Sequence, residues 1–185
     1  GDPVRFGFPK PDYKMYESHP IVNSLILHHI GHGDVKVRAD VDRLDGHTVH
    51  FKNGSQADYD LVMAATGYKL HYPFINNALL NWQGMAPQLY LNIFAPRFDR
   101  LAVLGMVEAA GLGWEGRAEQ AQVMARYFKG LDVGTPQARS FSQARQGPSP
   151  DLSAGYRYLK VERMACYVNK DVYRETMRKT ATQLA

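Results

Sequence analysis

The chain is short of the residues that would place it outside a reducing compartment or inside a membrane. A single cysteine, Cys166, cannot close an internal disulfide, so a cytoplasmic location is expected. Its residue type and setting read as a small side chain on a helix face, not as a nucleophile. No run approaches the roughly 18 apolar residues of a membrane span, and residues 1–20 have no apolar core of the kind a signal peptide needs. Runs of like charge are missing too. The net charge is +4, with 11 Lys/Arg against 13 Asp/Glu in residues 1–125 and 11 against 5 in residues 126–185. The basic excess of the second stretch is scattered singly among Tyr and Met. That is the pattern of a solvated helix face, and it argues against nucleic acid as a partner.

What is present is ordinary globular composition: 185 residues, 45% apolar and 22% charged, enough for one domain or one domain with an appendage. The most informative stretch is Asp60-Leu61-Val62-Met63-Ala64-Ala65-Thr66-Gly67-Tyr68. A continuous apolar run after an acidic residue predicts a strand buried on both faces, the kind found in parallel, layered α/β sheets. Small residues at its carboxyl end would let the backbone approach a ligand, and open α/β sheets bind ligands at that edge. A tight strand-to-loop turn with no ligand fits the same residues.

Residues 1–16 carry Pro3, Pro9 and Pro11 and predict an extended segment. A short helix is expected over residues 19–31, with Ser18 or His19 at its cap, Pro20 in its first turn and Gly31 just past its end. Ile21, Val22, Leu25, Ile26 and Ile30 would form its buried face. His28 and His32 have zinc-like spacing, but Gly31 is expected to end the helix between them and no Glu or Cys partner follows, so no metal site is assigned. From Asp34 the period becomes two. Val35-Lys36-Val37, Val41-Asp42-Arg43-Leu44 and Thr48-Val49-His50-Phe51 predict short strands, and Asp45-Gly46 and Asn53-Gly54 predict the tight turns between strands.

Taken in order, these pieces resemble the flavin-containing monooxygenases and the related Baeyer–Villiger enzymes. The resemblance rests on Gly7-Phe8-Pro9-Lys10-Pro11-Asp12, Glu17-Ser18-His19-Pro20, His32-Gly33-Asp34-Val35-Lys36-Val37, the meander, Ala65-Thr66-Gly67-Tyr68 and Pro73-Phe74. It covers residues 4–130 well and the tail loosely. Further on, Gln88-Leu89-Tyr90-Leu91-Asn92-Ile93-Phe94 predicts a strand and Arg100-Leu101-Ala102-Val103-Leu104-Gly105 a second one ending in glycine. In related two-dinucleotide flavoproteins such a strand returns the chain to the flavin domain. The disulfide-reductase branch ends it in Gly-Asp; here Gly105-Met106 stands instead, which favours the monooxygenase branch.

Gly111-Leu112-Gly113-Trp114-Glu115-Gly116 matches the G-x-G-x-x-G spacing that seats a pyrophosphate on a helix. Gly105, not Gly111, sits at the strand end, and no second strand with an acidic end follows, so the match reads as coincidence. A helix carrying Ala118, Ala121, Met124, Tyr127 and Phe128 is expected behind it, ended by Gly130. By the resemblance, that helix points its N-terminus at the flavin ring, where its dipole would favour negative charge; a glycine-rich turn that only packs helix on sheet is the other reading. Residues 134–155 predict a linker with a short helical piece over residues 137–146. The tail is expected to be helical, first through Val161, Met164, Ala165 and Val168 and then, capped by Asp171, along Tyr173, Met177 and Ala181.

The expected fold is therefore α/β: the C-terminal portion of a two-dinucleotide-binding-domain flavoprotein, with a β-meander and a helical tail. Residues 1–66 would close the NADPH-binding domain, residues 67–133 would belong to the FAD-binding domain, and residues 134–185 would be linker and tail. The resemblance implies FAD and NADPH as cofactors and a small-molecule substrate, a soft nucleophile or a ketone. It places Thr66, Gly67 and Tyr68 at the nucleotide edge and Gly105, Glu108, Gly111 and Trp114 facing the flavin. No residue is assigned a catalytic role, and the family's dinucleotide fingerprints would lie upstream, leaving this chain inactive by itself. The Tyr/Met stripe of the tail would drive a homodimer if it were left exposed. A flavoprotein reductase without oxygenation and a non-catalytic interaction domain derived from this fold remain the alternatives.

Overall fold

The structure, a computed structural model, describes residues 2–21, 23 and 25–185. It has two compact units, Gly1–Lys14 with Ile21–Thr66, and Met15–Pro20 with Gly67–Ala185.

In the first unit the proline-rich start is not simply extended. Asp2 caps a short 3-10 turn, Pro3–Phe6, by accepting the Val4 amide at 3.0 Å. Helix α1 (Leu25–His32) begins and ends later than its start and stop signals suggest. Gly31 lies inside it, and the chain leaves the helix at Gly33, where φ is +85°. The expected buried face is not buried: Ile21 and Leu25 are exposed, and Val22 and Ser24 lie outside the described residues. His28 and His32 share a face with ring centroids 4.2 Å apart. The His32 Nδ1 is hydrogen-bonded to the His28 carbonyl at 2.9 Å, and among the described residues no cluster of three or more His, Cys, Asp or Glu is poised to hold a metal.

The strand expected at Val35-Lys36-Val37 does not form. The meander does. Strands β1 (Val41–Asp45), β2 (Thr48–Phe51) and β3 (Gln56–Asp58) pair antiparallel in that order, with Val49 opposite Leu44 on one side and Ala57 on the other. Gly46 and Gly54 supply the positive φ, +56° and +83°, that the connecting turns require. Val49 and Phe51 of the central strand β2 are buried, while β1, at the edge of the sheet, is exposed along its whole length, Leu44 included.

The strand expected over residues 60–65 is absent. Leu61 and Met63 are 74% and 79% exposed and the backbone there has no regular structure. A strand buried on both faces needs neighbours for its amides and layers over its faces. The described residues supply neither. The two sheets that form are both antiparallel, of three and two strands, so the expected layered parallel sheet is not present among the described residues.

In the second unit, a 3-10 turn, Asn77–Leu80, leads into a small hairpin, β4 (Trp82–Gln83) with β5 (Ala86–Pro87). The strand expected at residues 88–94 is a tight turn instead. Leu91 and Asn92 both take positive φ, +56° and +58°, and Tyr90 bridges Phe94 across them. Residues 100–105 likewise make only an isolated bridge, Phe94 to Ala102, with the Val103 amide on the Ile93 carbonyl at 2.8 Å. Leu89, Leu91, Ile93 and Phe94 of the first segment are buried without a sheet around them, and residues 100–105 are only partly covered, so apolar content misreads both as strands.

Helix α2 (Gly113–Val133) is the axis of this unit. It runs through Gly130 and stops at Gly134, φ +76°. Gly130 serves packing: a Cβ there would lie 2.9 Å from Ala138 Cβ and from Thr135 Oγ1. Those residues belong to the start of α3 (Pro136–Ala144), whose cap Thr135 accepts the Ala138 amide at 3.2 Å. The short helical piece expected over residues 137–146 is α3, and residues 145–155 after it are turns and irregular chain. The tail is not one continuous helical segment: residues 162–164 make a 3-10 turn, Glu162–Met164, and Tyr167 then bridges Glu108 in parallel fashion. Helix α4 (Lys170–Gln183) follows, capped by Asn169 and not by Asp171, with Asn169 Oδ1 accepting the amides of Asp171 and Val172 at 3.1 Å each. Its Tyr173, Met177 and Ala181 are buried together with Val123 and Tyr127 of α2. The stripe is interior to the chain, so it offers no surface for the expected homodimer. Arg174 fastens the two helices by reaching Glu115 at 2.7 Å and Glu119 at 3.1 Å. Among the described residues no helix is long and apolar enough to cross a membrane.

Candidate functional site

Ahead of α2 the chain makes a run of irregular turns, and each is pinned by a specific bond. Gly105 has φ +93°, and its N–H donates to Gln120 Oε1 at 2.9 Å. Gln120 is fully buried on α2, and its Nε2 donates to Tyr173 Oη at 2.6 Å; that hydroxyl donates in turn to the Leu91 carbonyl at 3.0 Å. A buried amide side chain with every group paired holds one conformation firmly. The Gly105 turn is therefore fixed from two helices at once. Three residues on, the Glu108 amide donates to Cys166 O at 3.1 Å and the Glu108 carbonyl accepts from Val168 N at 2.9 Å. Tyr72 Oη caps the same edge by donating to Met106 Sδ at 3.0 Å.

This edge forms one wall of a cavity of about 290 Å³, faced by residues 68–70, by Met85 and Ala86, and by Glu162, Arg163 and Cys166. Lys69, Arg117 and Arg163 bring positive charge to it, and Glu108 and Glu162 negative charge. Arg117 is the best-positioned cation. Its guanidinium donates to the Gly113 carbonyl at 2.8 Å, lies 3.6 Å from Glu108 and sits 5.7 Å from the Trp114 ring centroid. Burial pushes the Cys166 thiol up to about 11, so it stays protonated and is no nucleophile near neutral pH. Leu112 at the start of α2 has no side-chain cap bond, which leaves the helix's first amides to other acceptors.

Of the residues singled out from sequence, the cavity brings together Tyr68, Gly105 and Glu108. Tyr68 is 97% exposed. Gly67, φ +89°, precedes it in open space, and Thr66 ends the first unit. Gly111 and Trp114 stand at the start of α2, and Trp114 reaches the cavity only through Arg117 stacked on it. Sequence reasoning missed Lys69, Arg117, Arg163 and Gln120. Arg117 had a signal, since it stands one helical turn after Gly113; for Arg163 and Gln120 no local pattern marks them out.

A family model for flavin-binding monooxygenase-like proteins matches residues 4–147. The chain belongs to the flavin-binding monooxygenase-like family. Among its curated relatives, flavin-containing monooxygenase 5 of Oryctolagus cuniculus is 28% identical over 148 residues, 78% of this chain and 27% of the relative. Dimethylaniline monooxygenase [N-oxide-forming] 2 of Cavia porcellus is 32% identical over 126 residues, 66% of this chain and 23% of the relative. Flavin-containing monooxygenase 2 of Homo sapiens is 28% identical over 125 residues, again 66% and 23%. The chain thus spans about a quarter of the length of these relatives. No solved structure gives a significant match.

The residues present can be set against the flavin that the family binds. Cβ atoms built at Gly105 and Gly113 would meet nothing within 4 Å, so the backbone there faces open space. With the uncapped start of α2 and the cations at the cavity, this wall suits the electron-rich edge of a flavin ring. It does not suit a pyrophosphate. The G-x-G-x-x-G spacing ends at Gly116, where a Cβ would lie 2.5 Å from the buried Leu112 side chain. That glycine packs inside the helix, and among the described residues no strand leads directly into the G-x-G-x-x-G segment.

Proposed function

We propose that this chain is the C-terminal region of an FAD- and NADPH-dependent monooxygenase, a two-dinucleotide-binding-domain flavoprotein that oxygenates a soft nucleophile or a ketone. The observation that carries the reading is the family match over residues 4–147, which runs through the open-backbone wall at Gly105 and the start of α2. The relatives' names, flavin-containing monooxygenase and N-oxide-forming dimethylaniline monooxygenase, support the same chemistry. On this reading residues 1–66 close the NADPH-binding domain, residues 67–133 belong to the FAD-binding domain, and residues 134–185 pack against the latter.

FAD, once bound, supplies the redox chemistry, taking reducing equivalents from NADPH and using them to activate oxygen. The chain's own part is positional and electrostatic. Gly105, Glu108, Gly111 and Trp114 border the ring, with Gln120 and Tyr173 holding the Gly105 turn from behind. The Arg117 guanidinium can offset negative charge on the ring, while Glu108, 3.6 Å away, keeps it in place. Thr66, Gly67 and Tyr68 belong to the nicotinamide side. On this reading the dinucleotide fingerprints lie upstream of these residues, and the chain by itself is expected to be inactive.

The test is expression of residues 1–185 joined to the sequence that precedes them in the natural gene. The joined protein is expected to purify yellow and to consume oxygen when given NADPH. A colourless protein overturns the reading. A yellow one that oxidises NADPH without incorporating oxygen into an amine, sulfide or ketone points to a flavoprotein reductase instead.

A further inference from the structure

The parallel bridge between Glu108 and Tyr167 separates two cavities. Cys166 lines the cavity described above and Tyr167 a second one, of about 410 Å³, which shares no lining residue with the first. Tyrosine dominates this second wall: Tyr16, Tyr156, Tyr158 and Tyr167 all line it.

The rings are held in place. Tyr167 Oη accepts the Ala110 amide at 3.1 Å and is hydrogen-bonded to His19 Nδ1 at 3.0 Å. Tyr158 meets Tyr167 edge-on at 4.8 Å, and Tyr156 lies parallel to Tyr158, 6.1 Å between centroids and 6° between planes. The turn that delivers Tyr156 is built for the purpose: Asp151 Oδ1 accepts the Ser153 amide at 2.8 Å, Ser153 Oγ accepts the Gly155 amide at 3.1 Å, and Ala154 and Gly155 take φ of +54° and +79°. Tyr16 itself has φ +71°, a conformation that bulky side chains rarely adopt and that tends to accompany a binding site. At the rim, Lys170 Nζ and Asp171 Oδ1 stand 3.7 Å apart, a donor and an acceptor side by side. Lys170 disfavours a cation here and Asp171 disfavours an anion, so the complementary guest is neutral. Pinned aromatic faces favour a flat one.

We propose that this tyrosine cleft binds a neutral, planar nitrogen heteroaromatic ring of the nucleobase type, its face on the tyrosines and its polar edge at Lys170 and Asp171. The inference does not rest on the flavin reading, because it concerns the other cavity and this chain alone. Adenosine is the probe, titrated into the 185-residue chain while the tyrosine ring resonances are followed by NMR, with ribose as the sugar-only control and tetramethylammonium and benzoate as charged ones. Saturable shifts confined to Tyr16, Tyr156, Tyr158 and Tyr167 are expected with adenosine, and none with ribose. Loss of one stacking ring is worth about tenfold or more in affinity, so Tyr158→Leu and Tyr156→Leu should each weaken binding by about that factor. Tyr156 is the safeguard variant, since its ring is 42% exposed and its loss leaves the core intact. Lys170→Met should have a smaller effect in the same direction. Absence of saturable binding, binding that neither tyrosine variant weakens, or tighter binding of either charged control would overturn the proposal. Success or failure here leaves the flavin test of the longer protein untouched.

Discussion

In the first unit Val49 and Phe51 are the buried apolar side chains among the described residues, while Leu25, Leu44, Leu61 and Met63 face solvent; in the second, Phe94, Tyr127, Tyr173 and Met177 are all fully buried around α2. Both units have apolar residues in good supply. They differ in whether distant parts of the chain come back to cover them. The meander rests on contacts a few residues apart, whereas the second unit ties residue 94 to 127, 120 to 173 and 145 to 95. Long-range burial is what gives a region high resistance to opening, and local turns by themselves give little. Amide exchange should therefore be fast across β1–β3 and slow in the middle of α2.

Tyr127→Ala should widen that contrast most by collapsing the protected side. Its ring meets Phe94 edge-on at 5.2 Å and Phe141 at 4.9 Å, and its hydroxyl donates to Asp99 at 3.1 Å. Truncating a fully buried aromatic of this kind costs about 4 kcal/mol. Both tryptophans, Trp82 and Trp114, lie in the second unit, so their fluorescence during urea unfolding reads the change. Exchange in the meander should stay as it was.

Arg145→Met comes next. Arg145 is 2% exposed and donates to the Ala95 carbonyl, to Asp99 and, at 3.2 Å, to Tyr127 Oη. Asp99, the partner left behind, is about half exposed, so what is lost is the hydrogen bonding of a charged group, about 2–3 kcal/mol, and methionine keeps most of the volume. Gly130→Ala should follow at about 2 kcal/mol, as expected of overpacking, because the added methyl would press on Ala138 and Thr135. If Gly130 were merely a helix end, the same change would be neutral or slightly stabilising. Thermal unfolding of that single variant therefore separates the two roles.

A smaller effect is expected from acid. The Ser142 hydroxyl and the Arg145 guanidinium hold the Asp99 carboxyl below its ordinary value. A carboxyl lowered in the folded state adds stability above its unfolded pKa, about 3.9, and that contribution disappears as pH falls through the folded value. Asp99 is about half exposed, so solvent screening keeps the effect modest. Below about pH 4 the second unit should lose stability with a slope that Asp99→Asn flattens, followed as an unfolding midpoint against pH.

How much of this could be read from the residues follows the same division. Asp45-Gly46 and Asn53-Gly54 announced their turns because positive φ is a local demand. The resemblance to flavin-containing monooxygenases was also legible, and family membership agrees with it. The helices α2 and α4 were legible, yet their ends were misplaced: Gly130 stays inside α2 because it packs on Thr135 and Ala138 of the next helix, and Asn169 caps α4 through the neighbouring amides of Asp171 and Val172, a local signal that Asp171 obscured. Residues 88–94 and 100–105 were read as strands since apolar content is the same for a strand and for a buried turn. The cavity at Gly105 was half visible: the glycine showed, but Arg163 and Gln120 reach it only through the tertiary fold.

The sharpest case is also the one with the smallest expected effect. Leu61, Val62 and Met63 have the sequence of a core strand and the exposure of a loop. Met63→Ser should change the unfolding midpoint of this chain by no more than about 0.5 kcal/mol, the usual range for a surface site. In a longer protein that supplies flanking strands, the same substitution would uncover a buried side chain and cost roughly 2–5 kcal/mol. Measuring Met63→Ser in both settings thus compares one residue with itself. A large loss already present in the 185-residue chain would mean that the segment is covered from within it, and the contrast between the two units would have to be redrawn.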